Sequence, residues 1–212
     1  MSDFWEIPEL WPNSTVFIIG GGPSVADVDL TKLHDKRVIG VNQAYKLGNW
    51  IDCIWFGDKQ WYPSQLPQIL NYKGLIITCA QEARKDKRWK RVKWVGRSKA
   101  SGIETQHWRR GHIAWNGNSG SSAINVAYWL GARRVVLLGF ECKLPEKGEQ
   151  THWHNDYAPK KDGEKLVDPY RNFLKHWKAI AKDAKECKLE ILNATPDTAI
   201  TEVPQVKLED VL

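Results

Sequence analysis

The chain has 212 residues, 42% of them apolar and 26% charged, with a formal net charge of +6 and an isoelectric point of about 9.1. These proportions suit one folded domain with a substantial core and exclude a disordered polymer. No apolar run reaches the roughly 18 residues of a membrane span. The start, Met1-Ser2-Asp3-Phe4-Trp5-Glu6, lacks the basic and apolar regions of a secretory leader. Cys53, Cys79, Cys142 and Cys187 are scattered without a Cys-x-x-Cys pair, and Cys53 and Cys79 sit in apolar runs. Buried thiols in a reducing cytoplasm are the expectation. The positive charge favours a polyanion or a phosphorylated small molecule as partner. Twelve tryptophans leave room for both core packing and stacking on a ring.

Residues 1–14, with Trp5, Pro8, Trp11 and Pro12, read as an extended lead-in that packs through its aromatics. Val16-Phe17-Ile18-Ile19 is a buried strand that stops on Gly20-Gly21-Gly22-Pro23-Ser24. The glycines permit a tight turn and close approach to the backbone. Ser24 is placed to cap a following helix, whose amides and dipole would face an anion. The spacing is neither the full dinucleotide fingerprint nor a Walker loop, so a ligand-free tight turn is the competing reading. Val25 to Leu33 forms a short helix or turn.

Arg37 to Asn42 is a second strand, ending on Asn42-Gln43, and Asp52 to Asp58 is a third, ending on Asp58. Ligands of open α/β sheets bind at such carboxyl ends. Either polar residue suits a ribose or base, and Asp58 equally suits a helix cap. Lys73 to Ala80 is a further buried strand. Arg84 to Lys99 crowds basic residues around Trp89 and Trp94, which fits a nucleic-acid surface or a solvated charged face. Ser98 to Asn118, with His107, Trp108, Arg109, Arg110, His112 and Trp115, reads as a long lid or binding loop.

Asn116-Gly117-Asn118-Ser119-Gly120-Ser121-Ser122 opens the clearest helix, capped by Ser119 or Ser121 and stopped by Gly131. Its small residues allow backbone approach to a phosphate or ribose. Arg133 to Glu141 is a central strand ending on Glu141. Thr151-His152-Trp153-His154-Asn155-Asp156-Tyr157 is the densest set of reactive side chains. A histidine there suits general acid–base work. His152 and His154 with Asp156 or Cys142 would alternatively hold a metal. Asp168-Pro169 starts a last helix with an apolar stripe from Tyr170 to Ala184, read as core. Leu189 to Asn193 is the final strand, Ala194 to Thr198 a turn, and the tail from Glu202 peripheral.

Taken in order, Ile19-Gly20-Gly21-Gly22-Pro23-Ser24, Gly40-Val41-Asn42-Gln43-Ala44, Gly117-Asn118-Ser119-Gly120, the Gly131 to Glu141 strand, His152-Trp153-His154 and Asn193-Ala194-Thr195-Pro196 resemble a group of phage and prophage Rossmann-like proteins. That group looks related to the MptE-like 6-hydroxymethylpterin pyrophosphokinases and is similar to small bacterial sialyltransferases. The resemblance covers nearly the whole chain. It implies one Rossmann-like α/β domain, a mostly parallel sheet flanked by helices, acting on a nucleotide or nucleotide sugar. Gly21, Gly22, Pro23 and Ser24 would form the phosphate-proximal turn, with Asn42 and Asp58 near the ribose or base. Asn118, Ser119, Gly120 and Glu141 would border the nucleotide, and Asn193 and Thr195 would close the pocket. His152 or His154, beside Asp156, would match the catalytic base.

Two positions depart from the sialyltransferase pattern. Cys142-Lys143-Leu144 stands where tyrosines help the phosphate leave, and Asn116 replaces an arginine before the Ser-Gly pair. These departures speak against sialyl transfer as such and leave nucleotide-dependent transfer in place. The expectation is glycosyl transfer to a hydroxyl acceptor with a histidine base. The alternatives are Mg²⁺-dependent pyrophosphoryl transfer from ATP, with Asp58, Glu141 or Asp156 as ligands, and a non-enzymatic phage nucleotide-binding protein in the host cytoplasm.

Overall fold

The computed structural model describes residues 4–59, 61, 65, 68–69, 71–81, 91–145, 150–156 and 168–212. Its strands are β1 (Ser14–Ile19), β2 (Arg37–Val41), β3 (Cys53–Phe56), β4 (Leu75–Thr78), β5 (Val92–Trp94), β6 (Gly96–Lys99), β7 (His112–Ala114), β8 (Ala132–Leu138) and β9 (Glu190–Asn193). The α-helices among the described residues are α1 (Ser119–Leu130), α2 (Tyr170–Leu174) and α3 (Trp177–Glu186). Seven strands form one parallel sheet in the order β5-β4-β3-β2-β1-β8-β9, and β6 pairs β7 in a second, two-stranded parallel sheet. The expected α/β architecture, a parallel sheet flanked by helices in a single Rossmann-like domain, is what the chain forms.

The uninterrupted apolar strands follow from burial on both faces. Successive side chains point to opposite sides of a sheet. Val16 and Ile18 of β1 therefore join one core cluster, with Cys53 and Trp55 of β3. Phe17 and Ile19 join the other, with Ile54 and Phe56. Both Cys53 and Cys79 are buried free thiols.

α1 lies almost wholly inside the protein, because β6–β7 and the lead-in cover the side turned away from the main sheet. Trp129 donates its indole N–H to His112 O (2.8 Å), and Trp11 donates its backbone N–H to Leu130 O (2.7 Å). Asn125, wholly buried in mid-helix, accepts on Oδ1 from Glu104 N–H (2.7 Å) and Ala114 N–H (2.9 Å). Gly131 ends the helix with φ 105°, a conformation that side chains disfavour.

Several expectations change. The span from Ser98 to Asn118 is not a long lid: it contains the end of β6, a 3-10 turn at His107–Arg109 and β7, and it buries Ile103, Ile113 and Ala114. Strands this short leave too few residues for alternation to register. The last helix is two helices, α2 and α3, with Asp168 Oδ1 accepting from Tyr170 N–H at 2.9 Å. The tail from Glu202 is part of the fold. Asn193 N–H donates to Pro204 O (2.8 Å), Val206 N–H donates to Asn193 O (3.0 Å), and Val203 and Leu208 are buried.

Asn125 joins α1 to two backbone segments, one at Glu104 and one at the end of β7. Asn125→Ala strands two buried amides, and we expect a loss of about 3 kcal/mol, read by urea denaturation. A loss below about 0.5 kcal/mol would mean water replaces the side chain.

Candidate active site

The chain runs from β1 outward through β2, β3, β4 and β5, then returns to lay β8 on the other side of β1. The carboxyl ends of β1 and β8 therefore flank the point where strand order reverses, the place where such sheets bind ligands. A cavity of about 680 Å³ opens there. Its wall includes Gly21, Gly22, Pro23, Ser24, Asn42, Asp58, Asn118, Ser119, Gly120, Glu141, His152 and His154. The sequence reading thus brought most of its candidates to one place.

The glycine turn is built differently from expectation. Gly20 N–H donates to Leu138 O (2.8 Å), Gly22 N–H to Gly139 O (3.0 Å) and Ser24 N–H to Glu141 Oε1 (2.9 Å). Pro23 has no N–H, so the turn has few amides left for a phosphate. Ser24 does not cap a helix. A 3-10 turn, Pro23–Asp27, begins after Gly22 without a side-chain cap, and it is too short for a useful dipole. A Cβ on Gly22 would lie 1.5 Å from Glu141 Oε2, so only glycine fits beneath this carboxylate.

The histidine loop is docked onto the same turn. Trp153 donates its backbone N–H to Gly21 O (3.3 Å) and its indole N–H to Gly20 O (3.1 Å). His152 lies over Gly21, with Cδ2 3.2 Å from where a Cβ would be, and its Nδ1 is 2.9 Å from Thr151 Oγ1. His152 and His154 stack with ring centres 5.4 Å apart and planes at 29°. Burial holds the His152 pKa below its usual 6.5, against an upward pull from Glu141. Burial and the neighbouring His152 bring His154 down to about 4. Asp156 does not line the cavity. It pairs with Lys46 at 2.6 Å, and its Oδ2 is 3.7 Å from His154 Nδ1. Lys46, from the 3-10 turn Asn42–Leu47, thus gives the loop a second mooring. Tyr157 lies outside the described residues.

Other candidates have structural duties. Asn118, not Ser119 or Ser121, caps α1, accepting from Ser121 N–H at 2.8 Å. Ser119 Oγ accepts from Gly57 N–H (3.1 Å), tying α1 to the end of β3. Asp58 is exposed at the rim. Asn193 and Thr195 lie behind the cavity wall, which Pro196 and Asp197 form instead. Asn193 Oδ1 accepts from Thr195 N–H (3.0 Å), and Thr195 Oγ1 accepts from Phe140 N–H (2.8 Å). Both residues therefore act on the site through the loop that carries Glu141. Tyr170 and Phe173 of α2, read from the sequence as core, line the cavity. Nothing in their helical spacing distinguishes the two roles. The sequence reading also missed Trp153 as the anchor and Lys46 as its counterpart. Trp153 stood between two histidines, which was the available signal.

The alternative of a metal held by His152 and His154 with Asp156 or Cys142 does not fit the described residues. Among the described residues no three His, Cys, Asp or Glu side chains converge. Asp156 is engaged by Lys46, and burial and Glu141 push the Cys142 thiol up to about 12, which keeps it protonated. Of the three carboxylates named for Mg²⁺, Asp58 and Glu141 line the cavity, and Asp156 is engaged by Lys46.

Among the described residues, the cations expected to face a nucleic acid are engaged within the protein. Arg84, Lys85, Lys87, Arg88 and Lys90 lie outside the described residues, as does Trp89. Arg91 donates to the Tyr72 and Lys73 carbonyls, and Lys99 pairs with Asp183 at 2.8 Å. Arg97 stacks 3.8 Å over Trp115 and donates to Gly57 O. Arg109 pairs with Glu104, and Arg110 donates to Ile7 O and Trp129 O. Arg97 and Lys99 thus tie β6 to the end of β3 and to α3, and Arg110 ties the lead-in to α1.

No family model matches the sequence, and no curated protein matches it. Two solved structures share the fold. One is the MAf glycosyltransferase from Magnetospirillum magneticum AMB-1, at 14% identity and a TM-score of 0.66, matched over 99% of this chain. The chain spans 36% of that protein's length. The other is the sialyltransferase CstII from Campylobacter jejuni in complex with a substrate analogue, cytidine-5′-monophosphate. Its identity is 15% and its TM-score 0.51, covering 92% of this chain and 86% of that one. Neither is a pterin pyrophosphokinase, and no helix among the described residues is long and apolar enough to cross a membrane.

The stacked histidines predict a pH dependence. The folded-state pKa of His154 lies below the usual 6.5, so the unfolded chain binds its proton first. Stability from this residue is complete above about pH 6.5 and falls as pH drops towards 4. Wild type should therefore lose more unfolding free energy than His154→Asn between pH 7 and pH 4.5 in urea titrations. Equal losses would show that His154 is not buried in its neutral form.

Proposed function

We propose that the chain is a glycosyltransferase domain that binds a nucleotide-activated sugar in this cavity and passes the sugar to an acceptor hydroxyl, with His152 as general base. One observation carries the reading. Trp153 docks the histidine loop onto the β1 turn, so a neutral imidazole lines a cavity at the sheet's switch point. The fold likeness to two glycosyltransferases supports the class, and the CMP bound to CstII supports a nucleotide-linked donor as the first ligand to try.

The chemistry follows from the residues. The acceptor O–H gives its proton to His152 as its oxygen bonds to the anomeric carbon. The bond from that carbon to the donor phosphate breaks, and its electrons leave on the phosphate. His152 rather than His154 is the base, because His154 is held near pKa 4 with a side chain only 6% exposed. The opening of α1 suits the phosphate: Ser119 and Gly120 begin a 12-residue helix on the cavity wall, where the dipole favours an anion.

A thermal-shift screen against nucleotides and nucleotide sugars identifies the donor, since a ligand of the folded form raises the melting temperature. Turnover with that donor then separates an enzyme from a nucleotide-binding protein. His152→Ala should lower kcat about 10²- to 10⁴-fold with little change in donor affinity. Unchanged kcat would remove His152 as the base.

A further inference from the structure

Two buried polar atoms of residues that line the cavity have no hydrogen-bond partner among the described residues: Asn42 Oδ1 and Glu141 Oε2. Both are acceptors, and a buried acceptor without a donor is costly. Asn42 is held at the end of β2 with φ 52°, where asparagine is tolerated better than most residues. Glu141 reaches over Gly22 from the loop after β8, its Oε1 already taking the Ser24 N–H. A phosphate cannot satisfy either free atom. Its oxygens accept as well, and its charge opposes the carboxylate.

The geometry points to Glu141 Oε2 and Asn42 Oδ1 as acceptors for sugar hydroxyls, one hydroxyl proton to each atom. This inference rests on the nucleotide-sugar reading above and gives the ligand a direction. Its hydroxyl-bearing part lies at the glycine turn, and its phosphate lies towards the opening of α1. The glycine turn, which resembles a phosphate cradle in sequence, becomes a sugar-reading surface because a carboxylate fills it. The hydroxyls belong either to the ribose of the nucleotide or to the sugar being transferred.

Isothermal titration calorimetry separates these sources. Wild type and Glu141→Gln are titrated with ribonucleoside 5′-monophosphates, their 2′-deoxy and 3′-deoxy counterparts, and nucleotide sugars, each with and without Mg²⁺. Glu141→Gln should weaken the best ligand about tenfold or more and erase its advantage over the analogue lacking the hydroxyl. Loss of the ribose-over-deoxyribose preference places the ribose at Glu141. A loss confined to nucleotide sugars places the transferred sugar there. Asn42→Gly, which suits the local backbone, should act in the same direction. Tighter monophosphate binding by Glu141→Gln would overturn the inference, because the carboxylate would then be occupying the phosphate's place. Unchanged affinities, or a loss seen only with Mg²⁺, would overturn it too. A wild type that binds no nucleotide defeats the nucleotide reading as well, whereas the other failures leave that reading standing.

Discussion

Gly20, Gly21 and Gly22 carry no side chains where the β1 turn meets the loop after β8, and three groups press into the space this leaves. Gly139 O lies 2.6 Å from where a Cβ on Gly20 would sit, the His152 ring 3.2 Å from that point on Gly21, and Glu141 Oε2 1.5 Å from it on Gly22. Any side chain would displace one of them. The turn also leaves the Gly20 and Gly21 carbonyls open to Trp153, which anchors the histidine loop. Bare backbone here serves contact between protein segments as much as contact with a ligand. The rest of the site follows from it: a carboxylate at one wall, an imidazole beside it, and a cavity between them and the first turn of α1.

Behind that surface is a supporting layer set back from the cavity. Thr195 and Thr198 grip both backbone groups of Phe140, accepting its N–H and donating to its carbonyl. Asn193 holds Thr195 and Thr198 in turn, and the tail segment at 204–206 closes on Asn193. Glu141 is therefore placed by a chain of bonds that begins at the far edge of the sheet. On the other side, Ser119 and Ser122 tie α1 to β3 through Gly57 N–H and the Trp55 indole. Polar residues at strand ends in this protein are more often brackets than ligands.

This division explains what was legible in the sequence. Strand positions were plain, because parallel strands buried on both faces read as unbroken apolar runs, as in Val16 to Ile19 and Val135 to Leu138. The carboxyl ends of those strands also mark where the cavity opens. Roles were less legible. Asn42 and Asn193 look alike at the end of a strand, yet one has a buried acceptor without a partner among the described residues and the other is held by threonines. Arg97 and Lys99 look like part of a polyanion surface, but their partners, Trp115 and Asp183, are far away in sequence. Propensity and spacing carry no record of such pairings. β6 and β7 escaped notice for another reason: strands of four and three residues are shorter than the window in which alternation is detectable.

The histidine pair is best understood as one proton acceptor. Two stacked imidazoles 5.4 Å apart resist double protonation, since the second charge would be desolvated beside the first. Which ring takes the single proton depends on its surroundings. Asp156 would normally raise His154, but Lys46 sits 2.6 Å from the same carboxylate and opposes that pull. Glu141 favours a proton on His152, and the carboxylate has no such cation among the groups that shift His152. Charge placement thus directs the proton to the ring that overlies Gly21 and away from the ring packed against Asp156. The mooring pair Lys46–Asp156 consequently does two things with one ion pair: it fixes the loop, and its lysine offsets part of the pull of Asp156 on a ring that burial and His152 already hold neutral.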